Sequence, residues 1–280
     1  MNTCHVRIDL HTHSAVSDGT ESPAEVMRAA ATANLDVVAL TDHDSVTGWE
    51  AAAATAADAG LEFVPGIEVS CRHSGVSIHL LAYWPDARTP AFEQMIAATR
   101  DARVDRAREI VERVAADYPM TWEDVVAHSS ATDTVGRPHI ADALVTRGHF
   151  ATRDAAFAEV LAGNSKYYVP HYAPDVLEAV AMVRACKGVP VFAHPGADAR
   201  GRVVPDAVIE EMAEAGLAGL EVDHRDHSPA QRERLAAIAS RLGLIRTGSS
   251  DYHGAGKLNR LGENLTTPEA YAALQTQRGS

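Results

Sequence analysis

Cysteine and aromatic residues are scarce in this sequence: three thiols (Cys4, Cys71 and Cys186) and 5% Phe, Trp and Tyr among 280 residues. Three is an odd number and the spacing is not that of a metal knot, so neither a disulfide framework nor a Cys-based zinc site holds the chain together. Also missing is any apolar run near the roughly 18 residues that a membrane span needs. The opening Met1-Asn2-Thr3-Cys4-His5 has no basic segment followed by an apolar stretch. The expectation is therefore a cytoplasmic protein with reduced thiols, no signal peptide and no membrane contact. Acidic residues outnumber basic ones by 38 to 25, for a formal charge of −13. That argues against an extended nucleic-acid-binding surface but leaves room for a small anionic substrate. The sequence shows no repeat, low-complexity tract or coiled-coil heptad, and nothing marks an obligatory protein partner.

What is present is a chain 46% hydrophobic, rich in alanine, with fourteen histidines. The length suits one α/β barrel carrying an insertion. Residues 6–10 read as a short buried strand running into His11-Thr12-His13-Ser14. Alternate residues of an extended chain point the same way, so His11 and His13 can aim at one cation. Ser22-Pro23-Ala24-Glu25 has the cap, the proline and the glutamate of a helix start. Residues 36–41 form the next strand, entering Asp42-His43-Asp44. A helix over 48–59 ends at Gly60, and strands over 63–69 and 76–83 carry Glu68 and His79. This strand-helix-strand rhythm predicts parallel pairing.

From 92 to 170 the rhythm breaks into helices: a long charged one over 91–116, then shorter ones starting at Thr121, Pro138 and Thr152. The expected division is a barrel of residues 1–91 and 171–280 with a helical insertion, 92–170, lying over its mouth as a substrate lid. After it come a helix over 174–187, a strand ending in His194-Pro195-Gly196, a helix over 205–215 and a strand ending near Asp223-His224. Ser228-Pro229 then opens another helix, a strand over 244–247 leads to Ser249-Ser250-Asp251-Tyr252-His253, and a final helix covers 268–277.

Aligned, the strand exits hold His11, His13, His43, Glu68, His194, Asp251 and His253, with His79 inside a strand. In a parallel barrel all C-terminal strand ends open on one face, where sites are built. Imidazole mixed with carboxylate and no thiolate suits Mn, Fe or Zn. Asp42 and Asp44 either orient the His43 ring or cap loops.

The order His11-x-His13, Asp18, Thr41-Asp42-His43-Asp44, Gly66-Ile67-Glu68, His79, His194-Pro195 and Ser249-Ser250-Asp251-x-His253 resembles the PHP (polymerase and histidinol phosphatase) family over nearly the whole chain. Gly136-Arg137-Pro138-His139-Ile140-Ala141 and Tyr168-Val169-Pro170 resemble its subgroup of nucleoside 3′,5′-bisphosphate phosphatases and relatives that trim RNA from the 5′ end. The resemblance implies a distorted, TIM-like (β/α)7 barrel and up to three divalent ions, Mn first, with Fe or Zn as alternatives. Carried over by position, His11, His13, Glu68 and Asp251 would hold one ion. Glu68 would bridge to a second on His79 and His194, and Asp18, His43 and His253 would hold a third. A water shared between two such cations becomes a nucleophile at neutral pH, attacking the phosphorus in line.

His224 is the candidate donor to the leaving oxygen, with a phosphate hydrogen-bond donor or a plain loop histidine as the other readings. Arg137, His139 and Lys166 are candidate phosphate-binding residues, with an Arg137–Asp142 ion pair as the competing use of that guanidinium. Tyr167, Tyr168 or Tyr172 could stack on a base or simply pack. The expected substrate is a small nucleotide, a nucleoside 3′,5′-bisphosphate losing its 3′-phosphate. Short 5′-phosphorylated RNA is the alternative, and a histidinol phosphatase, an amide hydrolase or a non-catalytic metal-stabilised domain fit less well.

Overall fold

The computed structural model describes residues 6–129, 135–170 and 172–279; Cys4, counted above among the thiols, lies outside them. Seven strands form one sheet in chain order. They are β1 Ile8–Asp9, β2 Val37–Leu40, β3 Glu62–His73, β4 Val76–Tyr83, β5 Val189–Phe192, β6 Gly219–Asp223 and β7 Ile245–Gly248. β2 is Val-Val-Ala-Leu and β5 Val-Pro-Val-Phe, both fully buried, as expected of strands covered on two faces. The sheet curls into a nearly closed barrel. At its seam Thr12 bridges Tyr252, and the buried Asp9 carboxylate takes the N–H groups of Ser250 (3.0 Å) and Gly262 (2.9 Å).

Four of the strand pairs are parallel. β4 is not: it runs antiparallel to both β3 and β5, contrary to the parallel pairing that the rhythm predicts. The cause is local. Ser74 and Gly75 both have positive φ, 47° and 76°, the conformation of a tight two-residue hairpin, and no helix separates the strands. The reversal still delivers His79 to the site, because His79 pairs with Ser70 and so shares a sheet face with Ser70 and Glu68.

Around the barrel lie α1 Pro23–Thr32 and α2 Trp49–Ala59, then α7 Val176–Ala185, α8 Asp206–Glu214, α9 Pro229–Leu242 and α10 Pro268–Thr276, after the helices described between residues 90 and 161. Ser22 with Glu25, and Ser228 with Gln231, form capping boxes. α7 starts later than Pro174, because the Asp175 side chain caps it through the Leu177 N–H. The helices between the two halves of the barrel are α3 Pro90–Val114, α4 Trp122–Val126, α5 Arg137–Thr146 and α6 Arg153–Ala156, the last continuing as a π turn to Leu161. They pack around their own apolar cluster, with Ile110, Val114, Leu144 and Val160 at its centre. Polar bonds seat this layer on the barrel mouth. Arg103 Nη1 donates to Asp44 Oδ2 (3.1 Å) and Ser70 Oγ (2.7 Å), and Arg153 Nη1 donates to the Gly256 carbonyl (3.4 Å).

Candidate metal centre

The strand exits converge. His11 and His13 turn their Nε2 atoms to within 3.0 Å of each other. Glu68 Oε2 lies 3.2 and 3.0 Å from those two nitrogens, and Asp251 Oδ1 lies 3.4 Å from each. The other Glu68 oxygen, Oε1, faces His79 Nδ1 at 2.8 Å and His194 Nε2 at 3.1 Å. Asp18 meets His253 Nε2 at 3.2 Å and His43 Nε2 at 3.8 Å. His43 also reaches back, its Nδ1 3.2 Å from Glu68 Oε2. Three overlapping groups thus have their ligand atoms within 4.8 Å of one another: His11, His13, Glu68 and Asp251; His13, Asp18, His43 and His253; and His43, Glu68 and His79.

Two observations test whether divalent cations fit here. Among the described residues the buried ring nitrogens His43 Nδ1, His79 Nδ1 and His253 Nε2 make no aligned hydrogen bond, although each faces a carboxylate oxygen at 2.8–3.2 Å. Each such orphan costs about 1–3 kcal/mol unless something satisfies it, and all three point into the cluster. The donor set is imidazole and carboxylate throughout, which fits hard-to-borderline divalent ions.

Electrostatics agree. Burial alone would raise the Glu68 carboxyl, yet His43, His79 and His11 hold it well below the usual range. His253 and His43 do the same for Asp18 against its burial, and Lys257 and Arg200 for Asp251. Burial, with Arg200 next, lowers His194 to about 3, and burial, with Lys257 next, lowers His253 to about 4. Those rings are neutral at any physiological pH, the form a cation needs. His13 goes the other way: Asp251 and Glu68 outweigh its burial and raise it to about 9.

Several residues that sequence reasoning missed support this cluster. Glu221, buried in β6, accepts His11 Nδ1 (2.9 Å) and the His194 N–H (2.8 Å) and bonds Ser249 Oγ. It thereby directs the His11 Nε2 lone pair inward. His227 accepts the Gly196 N–H at Nε2 (3.0 Å) while its Nδ1 meets the Val222 carbonyl (2.8 Å), fixing the turn after His194. Arg200 and Lys257 both bond Asp251. Asp42 and Asp44, by contrast, cap loops. Asp42 takes Ser14 N–H, Ser14 Oγ and Ser17 Oγ (2.8, 2.6 and 2.6 Å), and Asp44 takes Ser70 N–H and Oγ, both at 2.8 Å.

The other named positions divide. His224 is fully buried and accepts the Asp226 N–H at Nδ1 (3.0 Å), with Nε2 3.5 Å from Asp251 Oδ2. A ring whose Nδ1 is an acceptor is a neutral hydrogen-bond donor at Nε2, not a store of a second proton, so this geometry argues against the general-acid role. His139 is tied through Nδ1 to the Gly136 N–H (3.1 Å) and feels the charges of Asp18 and Arg103. Arg137 does not pair with Asp142, which forms a bidentate ion pair with Arg153 instead. Its Nη1 donates to the Leu161 carbonyl (3.0 Å). Lys166 is not brought to the cluster: its side chain is 69% exposed and its ammonium lies 2.8 Å from Asp117. Tyr167 packs and bonds Asp117 (2.6 Å), while Tyr168 and Tyr172 are exposed.

A family model for the PHP domain matches residues 9–168. A 3′,5′-nucleoside bisphosphate phosphatase from Chromobacterium violaceum is 32% identical over 90% of this chain and 89% of its own. A 5′-3′ exoribonuclease from Haemophilus influenzae is 30% identical over 92% and 94%. A solved structure from Bifidobacterium adolescentis, a candidate metal-dependent phosphoesterase, superposes with a TM-score of 0.94 at 42% identity, covering 97% of this chain and 96% of that one. This chain belongs to the PHP domain family. Within it, the chain is an enzyme of the metal-dependent phosphoesterase class.

Proposed function

We propose that this enzyme removes the 3′-phosphate of nucleoside 3′,5′-bisphosphates, releasing phosphate and the nucleoside 5′-monophosphate. The observation that carries the proposal is a group of three guanidinium groups beside the cluster. Arg103 sits against Asp44 and Ser70, and its charge is felt by His43, His139 and Arg137. Burial and then Arg137 lower Arg106 to about 10. Arg106 and Arg137 donate to the backbone carbonyls of Val169 (2.7 Å) and Leu161 (3.0 Å), and among the described residues neither has a carboxylate partner. Partly buried like charges, two of them without counter-ions, are costly, and an incoming phosphate is the anion that offsets them. A scissile phosphate at the metal centre and a second one on these arginines describe a bisphosphate. The relative of that activity, 32% identical, agrees.

In this reading His11, His13, Glu68 and Asp251 hold one ion, Glu68 with His79 and His194 a second, and Asp18, His43 and His253 a third. Manganese is the first candidate. Bound divalent ions supply an activated water and neutralise the phosphoryl oxygens. The chain's own residues do the rest. Glu68 sets the separation of two ligand groups with its two oxygens, Glu221 and His227 keep His11 and His194 in place, and Arg137 with Arg103 selects the second phosphate.

One observation favours a second substrate for the same site. Tyr168, 40% exposed, lies under the Arg106 guanidinium, 5.4 Å from its ring centroid, so a cationic and aromatic strip leads outward as short RNA would require. A phosphate-release assay with Mn, comparing a nucleoside 3′,5′-bisphosphate, a 3′-monophosphate, short 5′-phosphorylated RNA and histidinol phosphate, decides. The bisphosphate should be preferred, and Arg137→Ala should raise its KM about 10- to 100-fold while leaving the 3′-monophosphate unaffected. No release from bisphosphates, or a preference unchanged by Arg137→Ala, would sink the proposal.

A further inference from the structure

One carboxylate oxygen at the cluster gathers more donors than it can serve. Asp251 turns Oδ1 toward His11 and His13. Its Oδ2 takes Arg200 Nη2 at 2.6 Å and Lys257 Nζ at 3.1 Å, and His224 Nε2 stands 3.5 Å away. Two lone pairs serve two donors, and among the described residues His224 Nε2 is the one left without a bond, though fully buried. The two cations are anchored differently. Arg200, at the end of the short turn Asp198–Arg200, also donates through Nε to Asp226 Oδ2 (2.6 Å), so its guanidinium is fixed on two sides. Lys257 follows the turn Gly254–Gly256, its side chain is a third exposed, and the next residue, Leu258, is 81% exposed. Among the described residues its flexible ammonium is held only at Asp251.

We propose that Lys257 and His224 seat the scissile phosphoryl group, and that Arg200 is a positioning residue that keeps Asp251 Oδ1 facing His11 and His13. This rests on the phosphoesterase reading of the site, not on the nucleotide as its substrate. Once Asp251 shares its charge with a cation, its pull on the Lys257 ammonium falls. The ammonium, a compact charge with three donors on a four-carbon stem, then turns to a non-bridging phosphoryl oxygen. His224, neutral and protonated at Nε2, donates to another. Arg200 does not move, because Asp226 holds its other edge.

The test uses inorganic phosphate as the probe, titrated calorimetrically into manganese-loaded protein, with metal per chain measured in parallel. Lys257→Gln should weaken phosphate binding about 10- to 100-fold at unchanged metal content, and Lys257→Arg should recover most of it. Arg200→Gln should lower metal affinity and phosphate affinity together. The inference is overturned if Lys257→Gln binds phosphate within twofold of the parent protein, or if it loses metal in proportion to phosphate, which would mean that Lys257 acts only through Asp251. An enzyme that releases nothing from bisphosphates, yet shows the Lys257 effect on phosphate, would refute the proposed substrate and uphold this seat.

Discussion

Glu221 offers the sharpest test of how the cluster is held. Its Oε1 accepts His11 Nδ1 at 2.9 Å and Ser249 Oγ, and its Oε2 accepts the His194 N–H at 2.8 Å. One buried carboxylate therefore fixes a ring just after β1, the chain after β5 and the chain after β7. The pairing has a chemical consequence. A His11 ring that donates from Nδ1 presents a lone pair at Nε2, 3.2 Å from Glu68 Oε2, which is the form a cation needs. Glu221→Gln keeps the shape and removes the charge. The amide can present N–H to His11 Nδ1, forcing the proton to Nε2 and blocking the inward lone pair.

The magnitude follows from the bonds at stake. Losing a hydrogen bond to a charged group costs about 1.5–3 kcal/mol, and partners of this kind change metal affinity about 10- to 100-fold. We expect Glu221→Gln to weaken the tightest-held ion by that factor, read by competition with a chelator of known affinity. The fold should persist, because the amide conserves volume and can still accept the His194 N–H. Affinity within twofold of the parent protein would refute the reasoning and make Glu221 a spacer between strands.

Two further outcomes follow. In metal-free protein, thermal stability should peak near pH 6.5 and fall on both sides. His13, raised to about 9, contributes fully below its unfolded pKa of about 6.5 and loses that contribution as pH rises through 9. His194 and His253, lowered to about 3 and 4, contribute above 6.5 and lose it as pH falls toward those values. Metal loading should abolish the alkaline loss by displacing the His13 proton, and a metal-free melting temperature flat from pH 6.5 to 9.5 would contradict the assignment. Gly254→Ala should cost roughly 1–3 kcal/mol. At φ 64° its new methyl would clash with Thr20 Oγ1, which accepts the Ala255 N–H at 2.8 Å. Gly60→Ala, at φ 72° with nothing within 4 Å, should cost about 1 kcal/mol. Equal melting temperatures for the two would count against the clash.

What could be read from the sequence, and what could not, follows from how each residue reaches the site. His11, His13, His43, Glu68, His194 and Asp251 lie at or within a few positions of the end of a short apolar run, and in a barrel position along the strand fixes position in space. The arginines carry no such marker. Arg103 is one of many charges on a 25-residue helix, and only the way α3 crosses the mouth turns it toward Asp44. Lys166 shows the converse error: closeness in sequence to the returning strand says nothing of reach, and Asp117 already holds its charge. Arg200 and Lys257 sit in loops whose path no periodicity predicts. Glu221 was legible after all. In Gly-Leu-Glu-Val-Asp the strand is buried on both faces, so a glutamate at its centre must meet a donor that the barrel interior supplies. Two of the residues that satisfy it, His11 just after β1 and Ser249 after β7, come from the two edges of the sheet. The same charge that tunes the candidate ligand therefore also helps to bring the barrel's first and last strands together, which couples metal affinity to closure of the fold.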